Sequence, residues 1–178
     1  MFRSDFGALI LLILTLGGCG STAPSSHISS SETIFVTVSG SWPEDAVREQ
    51  LTNAHVRFAD CGIGLKFTSS SAGSQSTPTQ KIAHFVQSLE LVDGKAIEGR
   101  ALTFSNPKLI EIAWAASDGT PLNHKQTTAH ELGHLFGLGH TALHSINLMA
   151  PHSCELCRFS KAQCAVLSSK AGPSLRND

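Results

Sequence analysis

Three histidines and one glutamate fall within eleven residues of this 178-residue chain, at a spacing that suits metal-assisted hydrolysis. His130 and His134 are four residues apart, so on an α-helix both imidazoles can reach one metal ion. Glu131 is rotated by roughly 100° from His130, which places its carboxylate beside the metal, where water would bind. Gly137 predicts a left-handed helix end, after which His140 returns as a third ligand. Three ligands leave the fourth zinc position open, as catalysis requires.

This motif, followed by Leu148-Met149-Ala150-Pro151, resembles the metzincin clan of zinc endopeptidases, and most closely its matrixin branch. The resemblance covers roughly residues 120–151. It implies that Met149 forms an apolar floor under the histidines, although Met149 follows His140 by nine residues, one more than is typical. A lone methionine could instead simply fill the core. The chain has no tyrosine, which excludes the tyrosine near the metal of astacin-like and serralysin-like members.

The resemblance implies a zinc-dependent endopeptidase with one catalytic Zn²⁺ held by His130, His134 and His140. Glu131 would activate the zinc-bound water as a general base and return the proton to the leaving amine. The alternative is a lipid-anchored zinc-binding or adhesion module without peptidase activity, against which the intact Glu131 argues. We expect a protein or peptide as substrate and a monomeric enzyme. Neither structural Ca²⁺ nor a second Zn²⁺ is indicated.

The N-terminus predicts export. Residues 7–16 form an apolar run of ten, too short to span a bilayer but suited to a signal-peptide core. The sequence Leu16-Gly17-Gly18-Cys19 resembles the bacterial lipoprotein signal, in which cleavage leaves Cys19 lipidated; an ordinary secretory signal is the alternative. The Ser-rich stretch that follows is typical of a flexible tether. We expect an exported, membrane-anchored bacterial lipoprotein with a signal peptide over 1–18, a lipidated tether over 19–33 and a catalytic domain over 34–178.

Charge and cysteine content narrow the partners and the location. A net charge of −1 offers no basis for binding nucleic acid, so the expected membrane contact is the lipid anchor alone. Apart from Cys19, the chain has an even set of cysteines that allows two disulfides in three connectivities. The C-x2-C pair could instead hold a structural zinc, but an exported location favours disulfides. The disulfide candidates are Cys61, Cys154, Cys157 and Cys164.

The sequence of the first half of the domain predicts a strand, a helix and a second strand. Alternating apolar residues predict strands over 34–38 and 63–68. Between them, a capping box from Ser41 to Glu44 and apolar residues at helical spacing predict a long helix that ends near Gly62. Residues 81–92 fit either a helix or a strand, and the βαβ order favours a strand.

The second half must position the motif. Ala101 to Phe104 and Leu109 to Trp114 predict two strands joined by a turn. By resemblance, the first is an antiparallel edge strand above the cleft, so Ala101, Leu102, Thr103 and Phe104 would bind extended substrate by β-augmentation. A structural hairpin is the alternative.

Helix-start signals complete the predicted fold. The pair Asn123 and Gln126 predicts an active-site helix over about 124–136, and Ser160 with Gln163 predicts a C-terminal helix. The predicted fold class is α+β, of the metzincin or zincin-like type. It has a twisted mixed sheet of about five strands with a long first helix, the active-site helix and the C-terminal helix.

Overall fold

The computed structural model describes residues 28–70, 77, 79–122, 125–142, 146–151 and 156–171. Five strands form one sheet in the order β2-β1-β3-β5-β4, in which β4 is antiparallel to β5 and every other pairing is parallel. This arrangement confirms the α+β class with a five-stranded mixed sheet and three helices. The elements in chain order are β1 Ser30–Val38, α1 Glu44–Ala59, β2 Ile63–Ser69, β3 Lys81–Val86, β4 Gly99–Leu102, β5 Lys108–Ala113, α2 Thr127–Leu135 and α3 Lys161–Lys170.

Helices α1 and α2 cover one face of the sheet. Helix α1 packs on β2 and on α2, and α2 packs on β4 and β5. Alternate strand residues point towards these helices, because side chains along a strand alternate between faces. The buried residues on this face include Ile34, Val36, Phe85, Ile110 and Ile112. The main core therefore lies directly under the helix that carries the motif.

Strand β1 begins earlier than the sequence predicts. It starts at Ser30, within the segment 19–33 assigned to the tether, because β2 offers backbone partners from Ile63 onwards to these polar residues. The rest of the tether before residue 28, the signal peptide and Cys19 lie outside the described residues. Among the helices that the structure describes, none is long and apolar enough to cross a membrane.

Strands β3 and β4 are shorter or shifted relative to prediction. The strand interpretation of 81–92 is confirmed only for Lys81–Val86, after which the chain leaves the sheet. Strand β4 occupies Gly99–Leu102 rather than 101–104. Its turn starts early because the Ser105 hydroxyl can donate to the carbonyls of Leu102 and Pro107, at 2.6 and 2.7 Å. Thr103 and the fully exposed Phe104 therefore lie in the turn to β5.

The capping box predicted at Ser41 is wrong. Helix α1 starts at Glu44, with Pro43 at the N-cap and no capping side chain. Ser41 instead donates its backbone N–H to the Gln87 side chain at 3.1 Å, so a long-range partner replaces the local one.

The predicted start of the active-site helix near residue 124 is also wrong. Helix α2 begins at Thr127 with Gln126 at the N-cap and no capping side chain. The Gln126 side chain accepts a hydrogen bond from Arg57 at 3.1 Å rather than closing a capping box. The third capping box is confirmed, because Ser160 and Gln163 bond reciprocally at the start of α3.

The cysteine predictions agree with the structure where it describes them. Cys61, just after α1, forms a disulfide with Cys164 in α3, closing a loop with a sequence separation of 103. Cys157 is buried and is also disulfide-bonded, which does not fit the alternative of a structural zinc at the C-x2-C pair. Cys154 lies outside the described residues.

Candidate metal centre and active site

Helix α2 carries two of the predicted ligands through the middle of the domain, and most of its residues are buried. Its first turn lacks a side-chain cap, but the Gln50 side chain of α1 accepts bonds from the backbone N–H and the hydroxyl of Thr128, at 3.2 and 3.0 Å. This buried contact satisfies an N-terminal backbone donor that a capping residue would otherwise satisfy. The helix is therefore fixed by tertiary contacts rather than by a local signal.

The C-terminal end of α2 is a Schellman motif that brings the third ligand back. Gly137 has a φ of +91°, the left-handed conformation that the sequence predicts for it. Its N–H bonds to the carbonyl of His134 at 2.8 Å, and the Leu138 N–H bonds to the carbonyl of Gly133 at 3.0 Å. The chain turns there, and His140 comes to lie against the helix.

The three predicted ligands meet at their Nε2 atoms. The Nε2–Nε2 distances are 3.1 Å between His130 and His134, 3.2 Å between His130 and His140, and 3.0 Å between His134 and His140. Among the described residues these histidines form a group whose ligand atoms all lie within 4.8 Å of one another. Zinc–nitrogen bonds of about 2.0–2.1 Å in tetrahedral geometry would separate the nitrogens by roughly 3.3 Å, close to these values.

Backbone carbonyls fix the tautomer of two of these rings. The Nδ1 of His130 lies 2.7 Å from the carbonyl oxygen of Leu148, and the Nδ1 of His134 lies 2.7 Å from that of Leu138. Since a carbonyl only accepts, each Nδ1 must donate, which leaves Nε2 with a free lone pair in the neutral ring. The converging lone pairs form a site for a cation.

The protonation of these rings also suits a metal. Burial lowers the pKa of His130 to about 4, although its hydrogen bond to the Leu148 carbonyl acts in the opposite direction. Burial likewise lowers the pKa of His134. Both imidazoles are therefore neutral near pH 7, the form that binds zinc.

Met149 packs against helix α2 between the two histidines that the helix carries. It is fully buried, and a Cβ atom added at Gly133 would lie only 2.5 Å from its sulfur. The Asn147 side chain accepts a hydrogen bond from the Met149 N–H at 2.8 Å, and the Met149 carbonyl accepts one from Thr141 at 2.9 Å. This turn also presents the Leu148 carbonyl to the first ligand, so it supports the site by packing and by a hydrogen bond.

Sequence reasoning did not assign Gly133 a role. A glycine inside a helix costs about 1 kcal/mol relative to alanine, so its presence between the two ligands was an available signal of close packing. Here the close partner is the methionine sulfur.

Glu131 is buried between the helix and the sheet edge, with 7% of its surface exposed. Burial raises its pKa to about 8, and the nearby charge of Glu98 acts in the same direction. A group with this pKa is well matched to proton transfer near neutral pH. The structure thus places Glu131 in the wall of the cleft that the three histidines also line, and burial raises its pKa there.

The edge of the sheet covers Glu131 with two residues, Glu98 and Gly99, for which the sequence predicted no role. A Cβ atom at Gly99 would lie 2.8 Å from the Cγ of Glu131 and 2.8 Å from the Cγ2 of Thr127. The preceding residue, Glu98, accepts a hydrogen bond from the Thr127 hydroxyl at 3.2 Å. A glycine within a short strand can indicate such a close backbone approach, and this was the only local signal.

A cleft of about 1200 Å³ runs between β4 and α2 and contains the histidines and Glu131 in its walls. Strand β4 pairs within the sheet only with β5, so its other edge faces this cleft among the described residues. Of the predicted substrate-binding residues, Ala101 and Thr103 line the cleft. Leu102 and Phe104 do not line it and are exposed.

Comparisons with known proteins bear on the fold. No protein-family model and no curated protein matches the chain. Among solved structures, the chain is similar to the crystal structure of metalloproteinase-II from Bacteroides fragilis, with a TM-score of 0.57 and 14% sequence identity. The match covers 84% of this chain and 55% of that chain, so this chain spans about half the length of its structural neighbour. The chain thus has a metalloproteinase-like fold, and its three-histidine group could hold a metal ion.

Proposed function

We propose that this protein is a zinc-dependent endopeptidase of the matrixin-like type. The observation that carries the proposal is the convergence of three Nε2 atoms within 3.2 Å, beside the buried carboxyl of Glu131. A structural zinc site would use four protein ligands, whereas here three imidazoles and a base face a cleft. This combination suits hydrolysis better than metal storage.

The donor set fits a transition metal such as zinc rather than a hard cation. Neutral imidazole nitrogens suit Zn²⁺, and hard cations such as Ca²⁺ prefer oxygen ligands. His130, His134 and His140 would hold the ion. When bound, zinc supplies a Lewis acid that polarises a peptide carbonyl and acidifies water.

The protein's own groups perform the proton transfers. Glu131 accepts a proton from the attacking water at its carboxylate and delivers it to the nitrogen of the departing amine. The packing of Gly99 against its Cγ holds the carboxylate in place. Burial between α2 and β4 keeps bulk water from competing for the proton.

The free edge of β4 provides a route for peptide binding. An extended peptide can add to this edge through backbone hydrogen bonds, with its side chains alternating towards and away from the cleft. Gly99 and Ala101 share one side of β4 and line the cleft, and Thr103 of the following turn lines it as well. We expect a protein or unfolded peptide segment as substrate.

The test is cleavage of a general library of fluorogenic peptides by purified protein at pH 7. We expect cleavage that is abolished by a chelator and restored by adding one equivalent of Zn²⁺. Failure of every zinc-loaded preparation to cleave any peptide would contradict the proposal and favour the zinc-binding or adhesion module.

We further propose that Cys19 anchors the enzyme to a bacterial membrane outside the cytoplasm. The support is the sequence Leu16-Gly17-Gly18-Cys19, with residues 20–29 separating the cysteine from β1. Ten residues can extend up to roughly 33 Å, so the domain could move above the bilayer. Labelling of wild-type protein but not of Cys19→Ser by a fatty-acid probe would support the anchor, and equal labelling would contradict it.

A further inference from the structure

Two lysines start neighbouring strands at one end of the cleft. Lys81 is the first residue of β3 and Lys108 the first of β5, and the two are register partners. Lys81 lies on the same face of β3 as the buried Ala83 and Phe85. Lys108 lies on the same face of β5 as the buried Ile110. Both side chains therefore point to the helix-covered face, and both line the cleft.

The charge of one of these lysines, Lys81, is neutralised by an ion pair. The Lys81 ammonium lies 2.7 Å from the Glu32 carboxylate and 5.1 Å from the centre of the Phe136 ring, so its charge is held in place. Lys108 is exposed, and so is Lys170 at the end of α3, which lines the same cleft. In the part of the chain that the structure describes, neither Lys108 nor Lys170 has an ion-pair partner.

The two ends of the cleft differ in charge. Glu98 and Asp93 line the end where β4 begins together with Lys95 and Arg100, so charges of both signs are mixed there. Lys108 instead lies beyond Leu102, where β4 finishes. At about 3.3 Å per residue the ends are roughly 15 Å apart, more than a Debye length at physiological salt. The Lys108 end therefore attracts anions largely independently of the mixed charges at the other end.

We propose that this end of the cleft selects substrates carrying an aspartate or glutamate side chain. The inference rests on the proposed peptidase function and names its substrate class. Glu131 packs against Gly99, and Lys108 lies about four residues further along β4. In an extended peptide added to β4, the selected side chain is thus about three to five residues from the cleaved bond.

The test uses series of fluorogenic peptides that differ at a single position, which is occupied by Glu, Gln or Lys. The varied position lies three, four or five residues from the cleaved bond, on either side of it. For the wild-type enzyme at low salt, we expect a Glu:Lys ratio of kcat/KM of about 10 at one position, mainly through KM. High salt should reduce this ratio towards 1. The double variant Lys108→Glu/Lys170→Glu should invert it.

The matched control is Lys66→Glu, which reverses an exposed strand lysine on β2 at the opposite edge of the sheet. Because the readout is a ratio between peptides within one preparation, incomplete folding of a variant does not affect it. A wild-type ratio near 1 at all positions, or equal inversion by Lys66→Glu, would overturn the selection while leaving the peptidase function intact. Absence of cleavage for every peptide would overturn both.

Discussion

The two walls of the cleft are built in different ways. The helical wall takes its three ligands and its base from eleven consecutive residues, and the Gly137 turn alone returns the third ligand. The sheet wall combines the start of β3, the segment from Glu98 to Thr103 and the start of β5, to which α3 adds Lys170. In the proposed function, the first wall supplies the catalytic groups, and the second determines how Glu131 is buried and which peptide binds against it.

Local sequence is sufficient to specify the helical wall but not the sheet wall. Ligand geometry follows from helical periodicity, so a short motif specifies it. The pKa of Glu131 does not follow from the motif, because it depends on the desolvation that β4 completes from the other side.

The largest expected effect concerns the stability of metal-free protein. Because the pKa of Glu131 rises from 4.5 to about 8, the folded protein holds this proton more tightly than the unfolded chain. The contribution of this proton to the free energy of unfolding is therefore fully present below pH 4.5 and is lost as the pH rises towards 8. Relative to Glu131→Gln, the wild type should lose roughly 1.4 kcal/mol of unfolding free energy per pH unit in this window.

Urea unfolding in the presence of a chelator, at four pH values from 5 to 8, measures this difference. Glu90→Gln, the same change at an exposed carboxylate, is the matched control. Parallel stability profiles for the wild type and Glu131→Gln would mean that the sheet wall does not bury the base as described.

A smaller effect is expected from moving the sheet wall itself. Gly99→Ala places a Cβ atom 2.8 Å from Glu131 and Thr127, so β4 or the carboxylate must shift. We expect kcat to fall about 10-fold to 100-fold with zinc content unchanged, since a misplacement of the order of 1 Å can have such an effect. Metal analysis and steady-state kinetics on one preparation test both parts.

Gly64→Ala on β2 is the control for this strand glycine. Its added Cβ meets only side-chain carbons of Ile28 and a carbonyl, the nearest being a methyl at 3.2 Å, far from the cleft. If both alanine variants keep full activity, the close contact at Gly99 does not position the base.

Local signals predicted the parts of the fold that depend on neighbours in sequence. The alternating strands, the glycine helix stop at 137 and the Ser160 capping box were all confirmed. The capping box at Ser41 failed because Gln87, 46 residues away, provides the hydrogen bond instead. The start of α2 was predicted too early because Gln126 bonds to Arg57, which no local pattern shows.

The candidate site divides in the same way. Its ligands, base and methionine were predicted residue by residue, since their spacing reflects one helix and one turn. Gly133, Glu98 and Gly99 were not, because their roles are defined by close approach to a partner from another segment. Such contacts become evident only when the sheet edge and the helix are placed together.

Zinc content and peptide cleavage, measured together in the wild type and in Glu131→Gln, test the proposed peptidase mechanism most directly. We predict about one zinc per chain in both proteins and cleavage reduced about 100-fold to 10,000-fold in the variant, the range expected for loss of a general base. Retained cleavage by the zinc-loaded variant would contradict the assignment of Glu131 as the catalytic base.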